Sequence, residues 1–157
     1  LRREAALALQ SMQEAASRDG IIIDVSSAYR SWSYQKQLFA RNVARDGLMT
    51  ASRESAVEGA SQHQLGLAID FGSVTAAFAD TPAGRWLERN AGTFGFSLSY
   101  PEGLEDLTGY IHEPWHYRYV GKAGVRFIET WFGGIQQDAL SWLFRNGNNL
   151  ALLKAGQ

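Results

Sequence analysis

The decapeptide Ser61-Gln-His-Gln-Leu-Gly-Leu-Ala-Ile-Asp70 is the stretch around which the rest of the chain can be interpreted. It places a histidine, His63, and a carboxylate, Asp70, seven residues apart, with Gly66 between them. Because glycine adopts backbone conformations that other residues avoid, the chain can turn at Gly66 and direct both side chains to one point. The alternation from Leu67 to Phe71 predicts a strand whose large apolar side chains share one face, while Asp70 lies on the other among small residues. The stretch therefore indicates half of a metal site.

A second stretch, His112-Glu-Pro-Trp-His116, holds two of the three histidines and a carboxylate. A catalytic zinc ion needs three nitrogen or oxygen ligands at about 2.0 to 2.2 Å and an open position for water. His116 is the natural third ligand beside His63 and Asp70, and Glu113 is the candidate for moving the proton of the attacking water. Spacing alone leaves ordinary roles open, in which Asp70 accepts a backbone N–H bond and His116 pairs with a tyrosine.

The same five residues also spell H-E-x-x-H, the helical zinc motif of many metalloproteases. That motif requires a helix, whereas Pro114 disfavours helical geometry at Glu113 and costs about 3 kcal/mol inside a helix. The residues that follow alternate as a strand. We therefore expect Pro114 to mark an edge strand or a bulge that brings Glu113 and His116 to one cavity, with His112 as a bystander or an outer neighbour.

Composition limits the class of protein and its partners. The chain has 157 residues, 45% of them hydrophobic, and a net charge of −1 from 15 basic and 16 acidic residues, so we expect one domain and no nucleic-acid partner. It has no cysteine, which excludes thiolate zinc sites, disulfides and a cysteine nucleophile. No apolar run approaches the ~20 residues that span a bilayer. The chain starts at Leu1 without a methionine, and we interpret it as a trimmed mature domain whose leader or anchor, if any, precedes it.

Upstream of the decapeptide, Arg30 and Gln35 are the polar residues that we expect at the site. The short run Ile21–Val25 predicts a buried strand, and a helix is predicted from Tyr34 to Arg45 with Ser33 as its N-cap. Arg30 then lies at the strand-to-helix turn, and Gln35 in the first helical turn faces the same cleft. The other predicted elements are a helix over 1–18, a loop over 46–60, a helix from Pro82 towards Gly92, a strand over 94–100, a loop over 101–109, a strand over 110–120, and helices over 121–154 broken near Gly133-Gly134 and Gly147.

Taken together, the two motif stretches resemble the zinc D-alanyl-D-alanine carboxypeptidase family. This family includes vancomycin-resistance DD-carboxypeptidases, L,D-carboxypeptidases of peptidoglycan trimming and some phage endolysins. Its pattern is S-x-H-x-x-G-x-A-x-D followed by E-x-W-H, and the segment Ser27-Ala-Tyr-Arg-Ser31 with Gln35 matches its upstream S-x-Y-R-S. The resemblance covers roughly residues 21–121 of a single peptidase domain, 1–157. The residues that match the two main motifs are Ser61, His63, Gly66, Ala68 and Asp70, then Glu113, Trp115 and His116.

The resemblance implies an α+β, hedgehog/DD-peptidase-like fold, with a small, mainly antiparallel sheet, flanking helices and a zinc site in the cleft. It implies Zn²⁺ ligation by His63, Asp70 and His116, with Glu113 as general acid and base. Arg30 would stabilise the substrate carboxylate or the developing oxyanion, a role that suits the paired donors of a guanidinium. An exposed salt bridge, usually worth less than about 1 kcal/mol, is the alternative for Arg30. The resemblance also implies that Gln35 and Ser61 hold the substrate's terminal residue, and Trp115 is a candidate for the cleft wall or the core.

The function we expect is a zinc-dependent carboxypeptidase that removes a C-terminal D-alanine from peptidoglycan stem peptides. We expect a monomer outside the cytoplasm, in the periplasm or on the cell-wall side. An endolysin-type L-alanyl-D-glutamate endopeptidase with the same zinc site and a non-catalytic zinc-binding module remain alternatives. The preference for D,D- or L,D-bonds depends on the loops over 46–60 and 101–109, whose shape the sequence does not fix.

Overall fold

The computed structural model of the protein describes residues 1–155, with the backbone alone described over 148–155. A four-stranded antiparallel sheet lies at its centre, with strand order β1-β2-β4-β3. Its strands are β1 (Val25–Ser27), β2 (Ala68–Phe71), β3 (Phe96–Leu98) and β4 (His116–Tyr119). The α+β class and the antiparallel sheet predicted from the sequence are therefore confirmed.

Seven α-helices flank this sheet in the described part of the chain. Three short 3₁₀ turns, Gln62–Leu65, Ala76–Asp80 and Ala91–Phe94, lie between them. No helix among the described residues is long and apolar enough to cross a bilayer. The helices are α1 (Arg3–Arg18), α2 (Trp32–Asp46), α3 (Leu48–Glu54), α4 (Pro82–Asn90), α5 (Glu105–Thr108), α6 (Gly121–Phe132) and α7 (Gln136–Ala155).

Alternation along β2 and β4 separates the core from the cleft. Ile69 lies opposite Tyr117 in the register, and both side chains are buried in the hydrophobic core. Asp70 lies opposite His116, so this pair points to the other face of the sheet. The core face is covered by apolar side chains of α1 and α4, among them Met12, Ala16, Trp86 and Leu87. One face of the sheet thus packs in the hydrophobic core, and the other carries the polar side chains Asp70 and His116.

Two helix starts show how local capping sets the boundaries. Helix α4 begins as predicted, with Pro82 in its first turn and the Thr81 hydroxyl accepting a hydrogen bond from the Gly84 N–H at 3.0 Å. The prediction for α2 was wrong by two residues. Ser31, not Ser33, is its N-cap and accepts from the Tyr34 N–H at 3.2 Å. Arg30 consequently lies one residue before the cap.

Other differences from the predicted elements concern where strand pairing begins and where helices form or continue. The run Ile21–Val25 was predicted as a strand, but the ladder with β2 starts only at Val25, and before it the Asp24 carbonyl accepts from the Gly72 N–H at 2.9 Å. The predicted loop over 101–109 contains helix α5, and the loop over 46–60, for which a helical turn was also considered, contains the two-turn helix α3. The predicted break at Gly147 is absent because α7 continues through it, as a helix can at a cost of about 1 kcal/mol for one glycine. The break at Gly133-Gly134 is confirmed.

Candidate metal centre and active-site cleft

Three buried side chains, His63, Asp70 and His116, converge on one point at the cleft face of the sheet. The register places Asp70 directly opposite His116, so their side chains are neighbours. His63 comes from the 3₁₀ turn Gln62–Leu65, which ends at Gly66 with φ of 68°. A side chain at Gly66 would be strained by that angle, and its Cβ would lie 3.2 Å from the Arg2 backbone nitrogen. One potential ligand atom from each of the three residues lies within 4.8 Å of the other two.

His63 presents its Nε2 lone pair to this point. Its Nδ1–H donates to the Ala28 carbonyl at 2.5 Å, which fixes the tautomer and leaves Nε2 as an acceptor. Nε2 is buried and has no hydrogen-bond partner among the residues that the structure describes. Asp70 Oδ2 lies 3.2 Å from it. Two hydrogen-bond acceptors, His63 Nε2 and Asp70 Oδ2, therefore lie 3.2 Å apart with no proton between them.

His116 presents its other ring nitrogen, Nδ1. Its Nε2 lies 3.2 Å from Gln62 Oε1, and Nδ1 lies 2.9 Å from Asp70 Oδ1. Burial lowers the pKa of His116, although the neighbouring Asp70 carboxylate opposes this effect. The imidazole is thus favoured in the neutral form that a metal ion requires.

These three residues fit a zinc ion. The His63 lone pair and the Asp70 carboxylate that it faces repel each other unless a cation lies between them, and nitrogen and oxygen ligands at 2.0 to 2.2 Å from a tetrahedral zinc are about 3.3 to 3.6 Å apart. The contacts of Asp70 with His63 and His116, at 3.2 and 2.9 Å, are somewhat shorter than that spacing. The donor set is therefore suited to a dication.

Arg30 joins this cluster directly. Its Nη2 donates to Asp70 Oδ2 at 2.5 Å and its Nε donates to Ser27 Oγ at 2.9 Å. The side chain is only 17% exposed. Arg30 is therefore not the exposed surface salt bridge considered from the sequence, and its guanidinium lines the cleft.

Glu113 reaches the same cavity through a tight turn. The His116 N–H donates to the Glu113 carbonyl at 3.0 Å, with Pro114 at the second position of the turn, where its fixed φ is favourable. Glu113 Oε2 lies 3.5 Å from His116 Nδ1. Burial, reinforced by the negative charge of Asp70, raises the pKa of Glu113 to about 8. This carboxyl group can therefore gain and lose a proton near neutral pH.

The turn also settles how the five residues that spell H-E-x-x-H are arranged. Residues 112–115 are not helical, in agreement with the rejection of the helical motif. The expectation of an edge strand was wrong, because β4 pairs on both sides and Pro114 lies in the turn before it, where no ladder hydrogen bond is needed. His112 lies at the cleft wall.

The cleft around these groups has a volume of about 410 Å³. Ser61 and Trp115 line it, and Trp115 also packs into the hydrophobic core. Gln35 is fully buried and is not among the lining residues. Its Nε2 donates to Ser55 Oγ at 3.2 Å and to the Ala56 carbonyl at 2.7 Å. Gln35 thus supports the part of the wall that Ser55 and Ala56 form.

Several cleft residues were not anticipated from the sequence. Tyr100 and Tyr110 stack with ring centroids 4.5 Å apart, and both line the cleft. Gln62 contacts a ligand histidine, as described above. A metal-bound imidazole usually donates its second N–H to a fixed acceptor, so a polar neighbour of each histidine could have been expected. Which polar residue supplies that acceptor depends on tertiary packing and has no local sequence signal.

A pair of histidines and an aspartate beside a buried glutamate, in a cleft on an antiparallel sheet, is the arrangement of a metallopeptidase. The chain belongs to the VanY family of D-alanyl-D-alanine carboxypeptidases, whose family model matches residues 1–122. The family resemblance seen in the motifs is thereby confirmed.

Two relatives show how far this similarity extends. The chain is 41% identical over 135 residues to the Bacillus subtilis protein YodJ, covering 82% of this chain and 50% of YodJ. It is 38% identical over 122 residues to a D-alanyl-D-alanine carboxypeptidase of Enterococcus faecalis, covering 72% of this chain and 46% of that protein. The chain thus spans about half the length of these curated relatives.

Solved structures with similar folds include both D,D- and L,D-enzymes. The LdcB LD-carboxypeptidase is 38% identical with a TM-score of 0.79, covering 87% of this chain and 66% of LdcB. VanYB in complex with D-alanine-D-alanine is 32% identical with a TM-score of 0.78, covering 89% and 81% of the two chains. A variant of the vancomycin-resistance D,D-pentapeptidase VanY in complex with Zn(II) is also 32% identical, with a TM-score of 0.76 and coverage of 87% and 81%.

Proposed function

We propose that this protein is a zinc-dependent carboxypeptidase that removes a C-terminal D-alanine from peptidoglycan stem peptides. The observation that carries the proposal is the convergence of the ring nitrogens His63 Nε2 and His116 Nδ1 on the Asp70 carboxylate, beside Glu113. Membership of the VanY family supports it. The similar VanY structures, one with Zn(II) and one with D-alanine-D-alanine, support the cofactor and the substrate class.

His63, Asp70 and His116 would hold the zinc ion. When bound, zinc supplies Lewis-acid polarisation of the scissile carbonyl and lowers the pKa of water. The protein's own contribution is to orient the two imidazoles through their contacts with Ala28 and Gln62, and to hold the Asp70 carboxylate through Arg30.

Glu113 would move the proton in the reaction. Water oxygen forms a bond to the carbonyl carbon of the scissile amide, and the Glu113 carboxylate accepts one of the water protons. The C–N bond then breaks, and Glu113 returns that proton to the leaving amine of D-alanine. Its position, 3.5 Å from His116 Nδ1, places the carboxylate at the edge of the metal centre where both transfers would occur.

Arg30 would recognise the terminal carboxylate that distinguishes a carboxypeptidase substrate. Its Nε and Nη2 are bound to Ser27 and Asp70, which hold the guanidinium rigid. Among the described residues, no hydrogen-bond acceptor binds the two N–H groups of its Nη1. A guanidinium positioned in this way would bind a carboxylate at little cost in side-chain entropy.

The remaining predicted substrate contacts have different placements. Ser61 and Trp115 line the cleft, where they would contact the terminal residues of the peptide. Gln35 would act through the wall segment Ser55–Ala56 that it holds. We propose further that residues 1–157 work as one monomeric peptidase domain on the cell-wall side of the membrane, where peptidoglycan stem peptides are exposed.

Incubation of the zinc-loaded protein with defined muropeptides tests this function. A pentapeptide ending in D-alanyl-D-alanine should lose one alanine, and the same peptide with an amidated C-terminus should remain intact because Arg30 has no carboxylate to bind. Mass spectrometry of the products identifies the bond that is cut. A tetrapeptide that loses its D-alanine instead would make the protein an L,D-carboxypeptidase, and internal cleavage would make it an endopeptidase. A folded, zinc-loaded protein that yields no product would be a binding module.

A further inference from the structure

Gln62 contacts the metal centre from outside the predicted ligand set. Its side-chain oxygen Oε1 lies 3.2 Å from His116 Nε2 and 2.9 Å from Ser99 Oγ. An amide oxygen has two lone pairs, so it can accept both the imidazole N–H and the serine hydroxyl. Gln62 therefore offers His116 an acceptor on the side of the ring that faces away from Asp70.

Ser99 holds this amide in place from behind, and Gln136 lies beside Ser99. The Ser99 hydroxyl is 2.9 Å from Gln62 Oε1 and 3.4 Å from Gln136 Oε1, so it donates to the nearer oxygen of Gln62. Gln136 Nε2 in turn lies 3.4 Å from the Ser97 carbonyl, which directs its Oε1 towards Ser99. Ser99 and Gln136 are buried, at 3% and 1% exposure. The chain of contacts runs from the ligand histidine to the first residue of α7.

The single ring proton of neutral His116 can lie on either of two nitrogens, and each has an acceptor nearby. With the proton on Nδ1, the ring would donate to Asp70 Oδ1 at 2.9 Å, and a hydrogen bond to a charged group is worth about 1.5 to 3 kcal/mol. That tautomer removes the lone pair that a metal needs. With the proton on Nε2, the ring donates to Gln62 and Nδ1 stays free. The acceptor on Gln62 decides between them.

We infer that Gln62 is a positioning residue that sets the Nε2–H tautomer of His116 before any metal binds, and that Ser99 orients Gln62 for this task. The inference rests on the proposed role of His116 as a zinc ligand.

Zinc affinity and the tautomer of the metal-free protein test the inference together. Gln62→Leu removes the acceptor, and we expect zinc to bind about 10- to 100-fold more weakly, as is typical when the hydrogen-bond partner of a ligand histidine is lost. Nitrogen-15 NMR of the metal-free variant should show the His116 proton moved from Nε2 to Nδ1. Gln62→Glu keeps an acceptor and should retain both the affinity and the Nε2–H tautomer.

Gln64→Leu is the matched control on the same 3₁₀ turn. The side-chain oxygen of Gln64 accepts from the Gly59 N–H at 2.7 Å rather than from a histidine, so its loss should leave the zinc affinity unchanged. Ser99→Ala should weaken zinc binding by a smaller factor than Gln62→Leu. It also tests the inference if Gln62→Leu does not fold, as judged by circular dichroism.

The outcomes separate this inference from the proposed function. If Gln62→Leu and Ser99→Ala bind zinc as tightly as the wild type, and the metal-free tautomer is unchanged, the inference is wrong while the peptidase can stand. If the wild-type protein binds no zinc, the proposed function fails. The NMR comparison of metal-free proteins still reports on Gln62 in that case, and an Nδ1–H tautomer in the wild type overturns the inference.

Discussion

Replacing Glu113 by glutamine should stabilise the metal-free protein, and the gain should grow as the pH rises. The Glu113 carboxyl is buried beside Asp70, which raises its pKa from an ordinary value of 4.5 to about 8. Between these two values the unfolded chain has lost the proton and the folded protein keeps it. The folded protein then binds more protons than the unfolded chain, so its free energy of unfolding falls as the pH rises. Glutamine has the same shape and never ionises.

The size of this effect follows from the change in pKa. Each tenfold change in an ionisation constant corresponds to about 1.4 kcal/mol, so a shift from 4.5 to about 8 sets an upper limit of about 5 kcal/mol. We expect a gain of on the order of 2 kcal/mol or more at pH 9, after structural relaxation around the charged carboxylate, and little gain at pH 5.

Urea unfolding in the presence of a chelator, at pH 5 and pH 9, measures the difference between the two proteins. Glu102→Gln, at an exposed position, is the control and should show no such trend. Zinc should reduce the gain at pH 9, because a dication beside Glu113 stabilises its charged form. A difference between wild type and Glu113→Gln that is the same at both pH values would refute the reasoning.

Activity and zinc binding of Glu113→Gln and of two other variants test the proposed roles. Zinc-loaded Glu113→Gln should keep its metal while kcat falls by about 10²- to 10⁴-fold, the usual contribution of a general acid or base, in a muropeptide assay with elemental analysis of bound zinc. Asp70→Asn should lose zinc in a chelator competition, because it removes the negative charge on which both histidines converge. Arg30→Lys should raise KM more than it lowers zinc content, because a lysine lacks the paired donors that fit a carboxylate; unchanged steady-state kinetics would exclude Arg30 from substrate recognition.

The sequence predicted most of the site because its signals are local. The spacing of His63 and Asp70, with Gly66 between them, and the alternation of β2 fix which way the two side chains point. Pro114 excluded a helix, and a tight turn then brings Glu113 and His116 to one cavity. Each of these features depends on only a few neighbouring residues.

The parts that were missed depend on distant contacts. Gln35 was expected to face the cleft from the first turn of α2, but its amide is bound by Ser55 and Ala56, which lie 20 and 21 residues further along the chain. Gln62 meets Ser99 at a separation of 37 residues. The run Ile21–Val25 has strong strand propensity, yet its ladder with β2 starts only at Val25. Tertiary pairing, not local propensity, decides these cases.

The pairing of Asp70 with His116 also bears on how the sheet is assembled. Side chains alternate along a strand, so a shift of β2 by one residue against β4 would turn Asp70 into the core and bring an apolar residue to the cleft. A metal ion held by both residues would therefore act as a cross-strand link that only the correct register can form. Metal binding would then slow amide hydrogen exchange along β2 and β4 together. The proposed metal centre would in this way also stabilise the correct register of the sheet.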